Sequence, residues 1–208
     1  MDFVKPGDII SIRHYSGINP FNSIVVDIDG DAIRVKLTKD FAIMNFLEGD
    51  PVVFGIETNG QIHMIGCNIT KIDSKEEVVE VVIDKVDTGS DQRRHERFPV
   101  SLYADIRTKF SKKKHLAAIK DISYYGMLVY SKSDFTLGEQ IEIDIYMEKK
   151  MVFLKGDIVR KTESPHYTQY GLRIVYEDIN TMNFMKEYLK RLKESHEDSV
   201  KKIRDNEL

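Results

Sequence analysis

Two short polar segments contain residues whose types and spacing could bind an anionic ligand. Arg93 and Arg97 form an R-x-x-x-R pattern, and Asp121, Ser123 and Gly126 form a D-x-S-x-x-G pattern further along the chain. An arginine side chain presents a planar fork that can bind a phosphate, or the Hoogsteen edge of a purine, with two hydrogen bonds. It can also stack on a base. The first pattern is therefore suited to a nucleotide.

The second pattern supplies groups that complement these arginines. Asp121 could accept the two adjacent N–H donors on the Watson–Crick edge of guanine, and the Ser123 hydroxyl could bind a phosphate or hold the loop. Gly126 permits a tight turn and a close approach of the backbone. Either pattern alone is also typical of a charged linker or of an ordinary strand–turn–strand. Together they indicate a site for a small anion that carries guanine.

The composition places that site in an acidic globular protein. Hydrophobic residues make up 41% of the 208 residues and charged residues 31%, which is typical of a folded chain rather than a disordered one. The net charge of −3 argues against a general nucleic-acid coat, which needs a basic surface. Lys112-Lys113-Lys114 lies between two predicted strands and is interpreted as a solvated hairpin tip rather than a nucleic-acid patch.

The other residues of the chain indicate no catalytic, metal-binding or membrane-spanning function. The single cysteine, Cys67, excludes an intramolecular disulfide and a CxxC zinc site, so it is predicted to be a buried structural thiol in a cytosolic protein. No signal peptide is expected in the first residues, and no apolar run is long enough for a membrane span. No Walker A loop, no G-x-G-x-x-G loop and no G-x-S-x-G nucleophile motif is present and the histidines are scattered, so we predict a protein that is not an enzyme and has no cofactor.

Residues 1–86 are predicted to form a compact all-β unit, because apolar residues alternate with polar ones at the period of a half-buried strand. The alternating residues are Ile10 and Ile12; Ile24, Val26 and Ile28; and Ile33, Val35 and Leu37. Asn59-Gly60 predicts a hairpin turn between Val52–Thr58 and Gln61–Lys71, since both residues tolerate a positive φ. Val78–Ile83 closes the unit, and residues 87–92 are assigned as a linker.

Residues 93–192 are predicted to form a second domain, again of strands. Val100, Leu102, Ala104 and Ile106 alternate, as do Ile141, Ile143, Ile145 and Met147. Further strands are expected at His115–Ile122, Met127–Ser131, Met151–Lys161 and Tyr167–Tyr176. Six strands with no helical pattern between them favour an antiparallel barrel. The predicted fold class is therefore all-β: two small antiparallel β-barrels followed by a C-terminal helix.

The helix is predicted from a change of period near the end of the chain. Helical spacing is followed by Met182, Met185, Tyr188 (or Leu189) and Leu192. Met185, Leu189 and Leu192 would form a stripe that docks one face of the helix on the barrel. Either Asp178 or Asn180 could cap the first turn. Residues 193–208 are mostly charged, and that tail is interpreted as a frayed helix, with a partner-binding helix as the alternative.

The second domain resembles the PilZ domain, a receptor for the bacterial second messenger cyclic di-GMP. The resemblance rests on Arg93–Arg97, on Asp121, Ser123 and Gly126, on the six-strand pattern and on the ending Tyr170-Gly171-Leu172-Arg173-Ile174. It implies that Arg93 and Arg97 bind phosphates and guanine, and that Asp121, Ser123 and Gly126 form the facing wall. Arg94, Gln92 and Gly171 are additional candidates. By the same resemblance, the residue before the motif, here Gln92, influences whether one ligand or an intercalated pair binds.

Residues 1–86 resemble the N-terminal β domain of YcgR-like flagellar brake proteins. The matching segments are Pro6-Gly7-Asp8, Ser23-Ile24-Val25 and Glu48-Gly49-Asp50-Pro51-Val52. This resemblance implies that cyclic di-GMP changes the relation between the domains, and that the output is contact with flagellar motor stator or rotor components. Two alternatives stay open: a barrel that binds single-stranded nucleic acid through Lys112–Lys114 and the arginines, and a structural or assembly module without a ligand.

Overall fold

The computed structural model describes residues 4–16, 20–37, 46–58, 61–84, 95–147 and 150–206. Within these ranges the chain folds into two closed antiparallel barrels of six strands each, followed by one helix. The predicted fold class is confirmed. The chain divides into two compact units, the second of which spans Gln92–Leu192. No helix among the described residues is long and apolar enough to cross a bilayer.

The first barrel consists of β1 (Ile9–Arg13), β2 (Phe21–Asp29), β3 (Ala32–Lys36), β4 (Pro51–Thr58), β5 (Gln61–Asp73) and β6 (Val78–Ile83). Hydrogen bonding closes it in the order β1-β2-β3-β6-β5-β4. The predicted hairpin is present, since the ends of β4 and β5 pair Thr58 with Gln61. The turn itself, Asn59-Gly60, lies outside the described residues. Cys67 is fully buried in the core of this barrel, as predicted.

The prediction of which side of β2 faces the core was wrong. Ile24 and Val26 are each 47% exposed, and the core side carries Phe21, Ser23 and Val25. Ile24, Val25 and Val26 are consecutive apolar residues, so a period of two is compatible with either side of the strand facing the core. Ser23 is tolerated inside because its hydroxyl donates to the backbone carbonyl of Lys36 at 2.6 Å. A bulge between Val25 and Asp27 then shifts the alternation, so that Ile28 packs against the core.

The second barrel consists of β7 (Phe98–Thr108), β8 (His115–Ile122), β9 (Gly126–Ser131), β10 (Gln140–Met147), β11 (Lys150–Glu163) and β12 (Thr168–Val175). It closes in the order β10-β11-β12-β9-β8-β7. The predicted alternation is confirmed in β10, where Ile141, Ile143 and Ile145 are fully buried. Every strand of this barrel was predicted to within a few residues, because each is a short run of strand-forming residues bounded by polar or turn-forming segments.

Helix α1 (Ile179–Asn206) covers one end of the second barrel. Asp178 is its cap, since the Thr181 backbone N–H donates to the Asp178 carboxylate at 2.8 Å. The predicted apolar stripe is confirmed: Met185, Leu189 and Leu192 are buried in the barrel core. The helix does not end at Leu192 but continues to Asn206, which is consistent with the good helix propensity of the Lys, Glu and Arg residues there.

Candidate functional site

The start of β7 and the end of β8 bring Arg97 and Asp121 together. Antiparallel pairing sets Phe98 opposite Ile122 and Pro99 opposite Asp121, so the residue that precedes β7 lies beside that carboxylate. Nη1 of Arg97 donates to Oδ1 and Oδ2 of Asp121 at 3.1 and 3.2 Å. The two side chains are 37% and 22% exposed. Two residues from separate motifs thus form one ion pair at the protein surface.

Ser123 holds the turn between β8 and β9. Its backbone N–H donates to the Gly126 carbonyl at 2.7 Å, and its hydroxyl donates to the same carbonyl at 3.1 Å. The hydroxyl also accepts the Gly126 N–H at 3.1 Å. Ser123 is only 6% exposed. Of the two roles considered for this hydroxyl, the structure shows the one that fixes the loop.

Glycine suits position 126 because there is little room for a Cβ, and not because the backbone is left-handed. A Cβ at this position would lie 3.2 Å from the backbone carbonyl oxygen of Leu172, which is closer than nearly all real Cβ contacts. Leu172 is on β12, the strand beside β9. The absence of a side chain therefore lets β12 approach the turn that carries Ser123. A larger residue would push this turn away from the barrel.

Aromatic rings adjoin the same turn, and two of them are residues that the sequence motifs did not indicate. The ring of Tyr125 is 47% exposed and lies 4.9 Å, between ring centroids, from His95. Tyr124 instead packs against the barrel core and lies 5.7 Å from the ring of Tyr176. His95 could have been noticed because it lies inside the first motif. Tyr176 has no local signal and reaches the site through the pairing of β12 with β9.

Tyr176 links the end of β12 to this turn. Its hydroxyl donates to the backbone carbonyl of Tyr124 at 2.6 Å. Burial, together with the neighbouring Tyr124 and Tyr125 hydroxyls, raises the pKa of Tyr176 well above the ordinary value for tyrosine. The phenol therefore stays neutral and remains a hydrogen-bond donor across the physiological range.

Gly171 lies on β12, in the same row of paired residues as Asp121, since Leu128 of β9 pairs with both. It pairs with Leu128 of β9, whereas Gly126 pairs with Arg173. A Cβ on Gly171 would lie 3.2 Å from Cβ of Arg160, so this glycine lets the Arg160 side chain lie close to the sheet. Gln92, Arg93 and Arg94 lie outside the described residues, and their assignment stays a prediction.

Among the described residues, no group of three or more His, Cys, Asp or Glu side chains is arranged to hold a metal ion. What the site offers is one arginine fork, one carboxylate that accepts hydrogen bonds, and exposed aromatic rings beside them. Such groups bind and orient a planar, anionic molecule through hydrogen bonds and stacking.

Comparison with known proteins identifies the second barrel. The family model described as the PilZ domain matches residues 91–191. No curated protein sequence matches the chain.

Solved structures that resemble the chain include the inhibitor of motility MotI/DgrA of Bacillus subtilis, with 13% identity over 93% of this chain and 99% of that one and a TM-score of 0.43. YcgR of Escherichia coli in complex with c-di-GMP has 11% identity over 95% and 88%, with a TM-score of 0.46. The MrkH–c-di-GMP complex of K. pneumonia has 14% identity over 89% and 87%, with a TM-score of 0.45.

Proposed function

Residues 91–191 are a PilZ domain, and from this premise we propose that the chain is a non-catalytic receptor for cyclic di-GMP. The observation that carries the proposal is the contact between Arg97 and Asp121 at 3.1 Å. The two motifs are far apart in the sequence, yet one residue of each lies in the same exposed pair. As a receptor for a second messenger, the chain would act in the cytoplasm.

In this proposal the two members of the ion pair bind different parts of the ligand. The Arg97 guanidinium binds a phosphate or the Hoogsteen edge of a guanine, and Asp121 accepts the guanine N–H donors. The pair holds both side chains at the surface before the ligand arrives, which reduces the rotamer freedom lost on binding. Arg93 and Arg94 add positive charge from the preceding segment.

The Tyr125 ring provides a surface on which a guanine can stack. It is nearly half exposed, and its backbone is fixed because the Ile174 N–H donates to the Tyr125 carbonyl at 2.9 Å. Stacking on an aromatic side chain contributes roughly 1–3 kcal/mol per base. Ser123, Gly126 and Tyr176 position this turn without contacting the ligand, and Gly171 serves the packing of Arg160.

The output of binding is a change in the relation between the two domains. The R-x-x-x-R motif directly follows the predicted linker, residues 87–92, so ligand contacts to Arg93 and Arg97 would act on the connection between the domains. A ligand shifts such an equilibrium only if its contacts differ between the two states, and contacts to a connecting segment meet that condition. The partner that responds to this change is predicted to be a flagellar motor component, because residues 1–86 resemble flagellar brake proteins.

Calorimetric titration of the intact chain with cyclic di-GMP tests the proposal. We expect saturable binding, with a stoichiometry that separates one ligand from an intercalated pair, and no comparable heat with cyclic di-AMP. Arg97→Ala should weaken binding, whereas Arg34→Ala should not. Arg34 is the matched control, since it also pairs with an exposed carboxylate, that of Glu76, but lies in the first barrel. Absence of binding by the intact chain would falsify the proposal.

The two alternative functions give different results in the same experiments. A single-strand-binding barrel predicts that an oligonucleotide displaces cyclic di-GMP. Lys114, one of the residues that favoured this alternative, instead forms an ion pair with Asp144 at 2.8 Å. A structural module without a ligand predicts a thermal midpoint that excess cyclic di-GMP leaves unchanged, because any ligand of the native state raises stability.

A further inference from the structure

Three connections emerge together at the end of the second barrel that lies opposite the Arg97–Asp121 pair. Adjacent strands are antiparallel all round the barrel, so the β7–β8, β9–β10 and β11–β12 connections leave at one end. The β8–β9 turn, with Ser123, and the beginning of β7 lie at the other end. We call the set of residues 109–114, 132–139 and 164–167 the distal end.

The distal end is basic in an acidic protein. Its three segments contain five lysines and two acidic residues, whereas the whole chain has a net charge of −3. The lysines are Lys109, Lys112, Lys113, Lys114 and Lys132, and all five are exposed. Asp134, one of the two carboxylates, is in an ion pair with Lys161, and Lys114 is in an ion pair with Asp144, so the excess of positive charge comes from the other four lysines. Screening limits the reach of more distant charges to about 8 Å at physiological ionic strength, so an approaching surface responds to this local excess of positive charge.

Two apolar side chains project from the same end. Phe110 is 94% exposed and Leu137 is 60% exposed. They come from different connections, and Phe110 lies between Lys109 and Ser111, directly beside the basic residues. Large apolar side chains in water forgo the free energy of burial, and apolar side chains grouped with polar residues at one end of a barrel mark a candidate interaction surface.

Both connections hold these side chains outward on hydrogen-bonded turns. Around Phe110, the Ser111 N–H donates to the Thr108 carbonyl at 3.0 Å, and the Lys113 N–H donates to the Ser111 hydroxyl at 3.1 Å. The folded chain therefore already presents these two apolar side chains to solvent.

The connection that carries Leu137 is anchored by its neighbour Phe135, which is only 4% exposed. The Phe135 N–H donates to the Tyr170 hydroxyl at 3.0 Å, and that hydroxyl donates to the Ser133 carbonyl at 2.8 Å. Phe135 thus fills the barrel end while Leu137 points away from it.

We propose that the distal end docks on an anionic lipid surface, with Phe110 and Leu137 entering the interfacial region and Lys109, Lys112 and Lys113 facing anionic headgroups. Lysines near such a surface are attracted by its negative potential, and apolar side chains gain burial at the boundary between headgroups and acyl chains. Two exposed apolar side chains among lysines fit an anionic lipid surface better than a protein interface, whose core is depleted of charged residues. An aliphatic tip such as Leu137 also offers no ring for a base to stack on, which argues against nucleic acid.

The absence of tryptophan from the chain allows a direct test of insertion. The variant Phe110→Trp carries the only indole in the intact protein. Mixed with vesicles of phosphatidylcholine and phosphatidylglycerol, its emission should shift to shorter wavelength and the protein should sediment with the vesicles. With pure phosphatidylcholine both effects should be much weaker, and added salt should reverse them. Sedimentation without the emission shift would overturn the insertion of residue 110.

Two sets of substitutions separate the charge from the apolar contribution. In the Phe110→Trp background, Lys109→Gln, Lys112→Gln and Lys113→Gln together should weaken vesicle binding about a hundredfold, at about fivefold per lysine. Lys186→Gln with Lys190→Gln, exposed on α1, is the matched control and should change little. In the natural background, Phe110→Ser should weaken vesicle sedimentation at least about tenfold, and the control Ile179→Ser should not.

Three further results would overturn the proposal. The first is equal binding to neutral and anionic vesicles, and the second is equal effects of the lysine and control substitutions. The third is binding of a single-stranded or duplex oligonucleotide that depends on Lys109, Lys112 and Lys113 while vesicles are not bound. Arg97→Ala should leave vesicle binding unchanged, since the distal end shares no residue with the ligand site. Failure of the cyclic di-GMP proposal and failure of this one are thus distinguishable.

Discussion

At the scale of single residues, the candidate site depends on one ion pair, and both of its side chains also suit ligand binding. An exposed pair of this kind contributes little to stability, with a median of about 0–1 kcal/mol. Arg97 and Asp121 are therefore poorly explained as a stabilising contact. They are better explained as a donor fork and an acceptor that are held ready for a ligand.

Replacing Arg97 with alanine is expected to weaken cyclic di-GMP binding at least about tenfold. The reason is the loss of charge-assisted hydrogen bonds, which contribute roughly 1.5–3 kcal/mol each. Calorimetry measures the change, and the unfolding free energy of the variant should stay within about 1 kcal/mol of that of the natural chain. Natural affinity in Arg97→Ala would remove this residue from the site while leaving the family assignment intact.

Replacing Asp121 with alanine is expected to reduce discrimination more than affinity. A site that pairs with the guanine N–H donors binds adenine less well, because the Watson–Crick edge of adenine differs. Without the carboxylate, this difference in binding free energy should become smaller. The measurement is the ratio of the dissociation constants for cyclic di-AMP and cyclic di-GMP, which should fall. Glu76→Ala, in the exposed pair with Arg34, is the control. An unchanged ratio would show that Asp121 does not contact the base.

At the scale of elements, helix α1 and the turn at Ser123 are supported by the same apolar cluster. Met185, Leu189 and Leu192 belong to the core of the second barrel, and Tyr124 and Tyr176 pack against that core. The helix therefore serves the site indirectly, by filling the barrel end on which the turn rests.

Met185→Ala is expected to destabilise the second barrel by about 2–5 kcal/mol. Met185 is fully buried, and truncation leaves a cavity in addition to the lost transfer free energy. Chemical denaturation followed by circular dichroism measures the loss. Lys186→Ala, the exposed neighbour on the same helix, should stay within about 0.5 kcal/mol. A similarly small effect of Met185→Ala would show that the helix contributes little to the barrel.

A second element-scale contact joins β7, β10 and the β7–β8 connection. Asp144 accepts hydrogen bonds from Nη1 of Arg107 at 2.7 Å and from Nζ of Lys114 at 2.8 Å. Burial by itself would raise the pKa of the Asp144 carboxyl, but the bonds from Lys114 and Arg107 outweigh it and hold the pKa below the usual value. A carboxyl with a depressed folded-state pKa stabilises the fold above its unfolded pKa and loses that contribution as the pH falls through the folded value.

Asp144→Asn should therefore destabilise the chain by about 1–3 kcal/mol at neutral pH, through the weakened charged hydrogen bonds. The difference from the natural chain should begin to shrink below about pH 4, where the Asp144 carboxyl of the unfolded chain becomes protonated, and should disappear as the pH falls through the lower pKa of the folded chain. Denaturation at a series of pH values tests this. Asp134→Asn, at an exposed carboxylate, is the control and should show a small difference throughout. A loss at Asp144 that does not change with pH would contradict the assigned role of the charge.

At the scale of the whole molecule, two barrels of similar construction carry different surfaces. The second barrel has the ligand motif at one end and lysines with two exposed apolar side chains at the other. These ends share no residues. One protein could therefore bind a nucleotide and dock on a surface at the same time.

Ligand binding is expected to change the arrangement of the domains as well as the stability. At a cyclic di-GMP concentration of about a hundred times the dissociation constant, linkage gives about 2.7 kcal/mol, or roughly 5–10 °C in the thermal midpoint. Small-angle scattering should show an altered distance distribution on addition of cyclic di-GMP, and Arg97→Ala should lose both effects. A raised midpoint with unchanged scattering would mean binding without domain rearrangement.

The sequence alone determined the features that depend on local periodicity and on residue type. The limits of β6 and β8 were predicted correctly, because each is a short strand-forming run between polar connections. The buried stripe of α1 was predicted correctly, because helical spacing reports which side of a helix is apolar. The chemistry of the two motifs could likewise be read from arginine, aspartate and glycine at their spacing. The family assignment of the second domain rested on those motifs and agrees with the family model.

Only the tertiary structure decided which residues meet and which face solvent. In β2, the consecutive apolar residues do not determine which face lies inside. The structure shows that Phe21 and Val25 pack into the core. Tyr176 joins Tyr125 because β12 pairs with β9. His95 joins Tyr125, and Arg97 reaches Asp121, because β7 pairs with β8. These contacts are set by strand register between distant segments, which no local pattern in the sequence specifies.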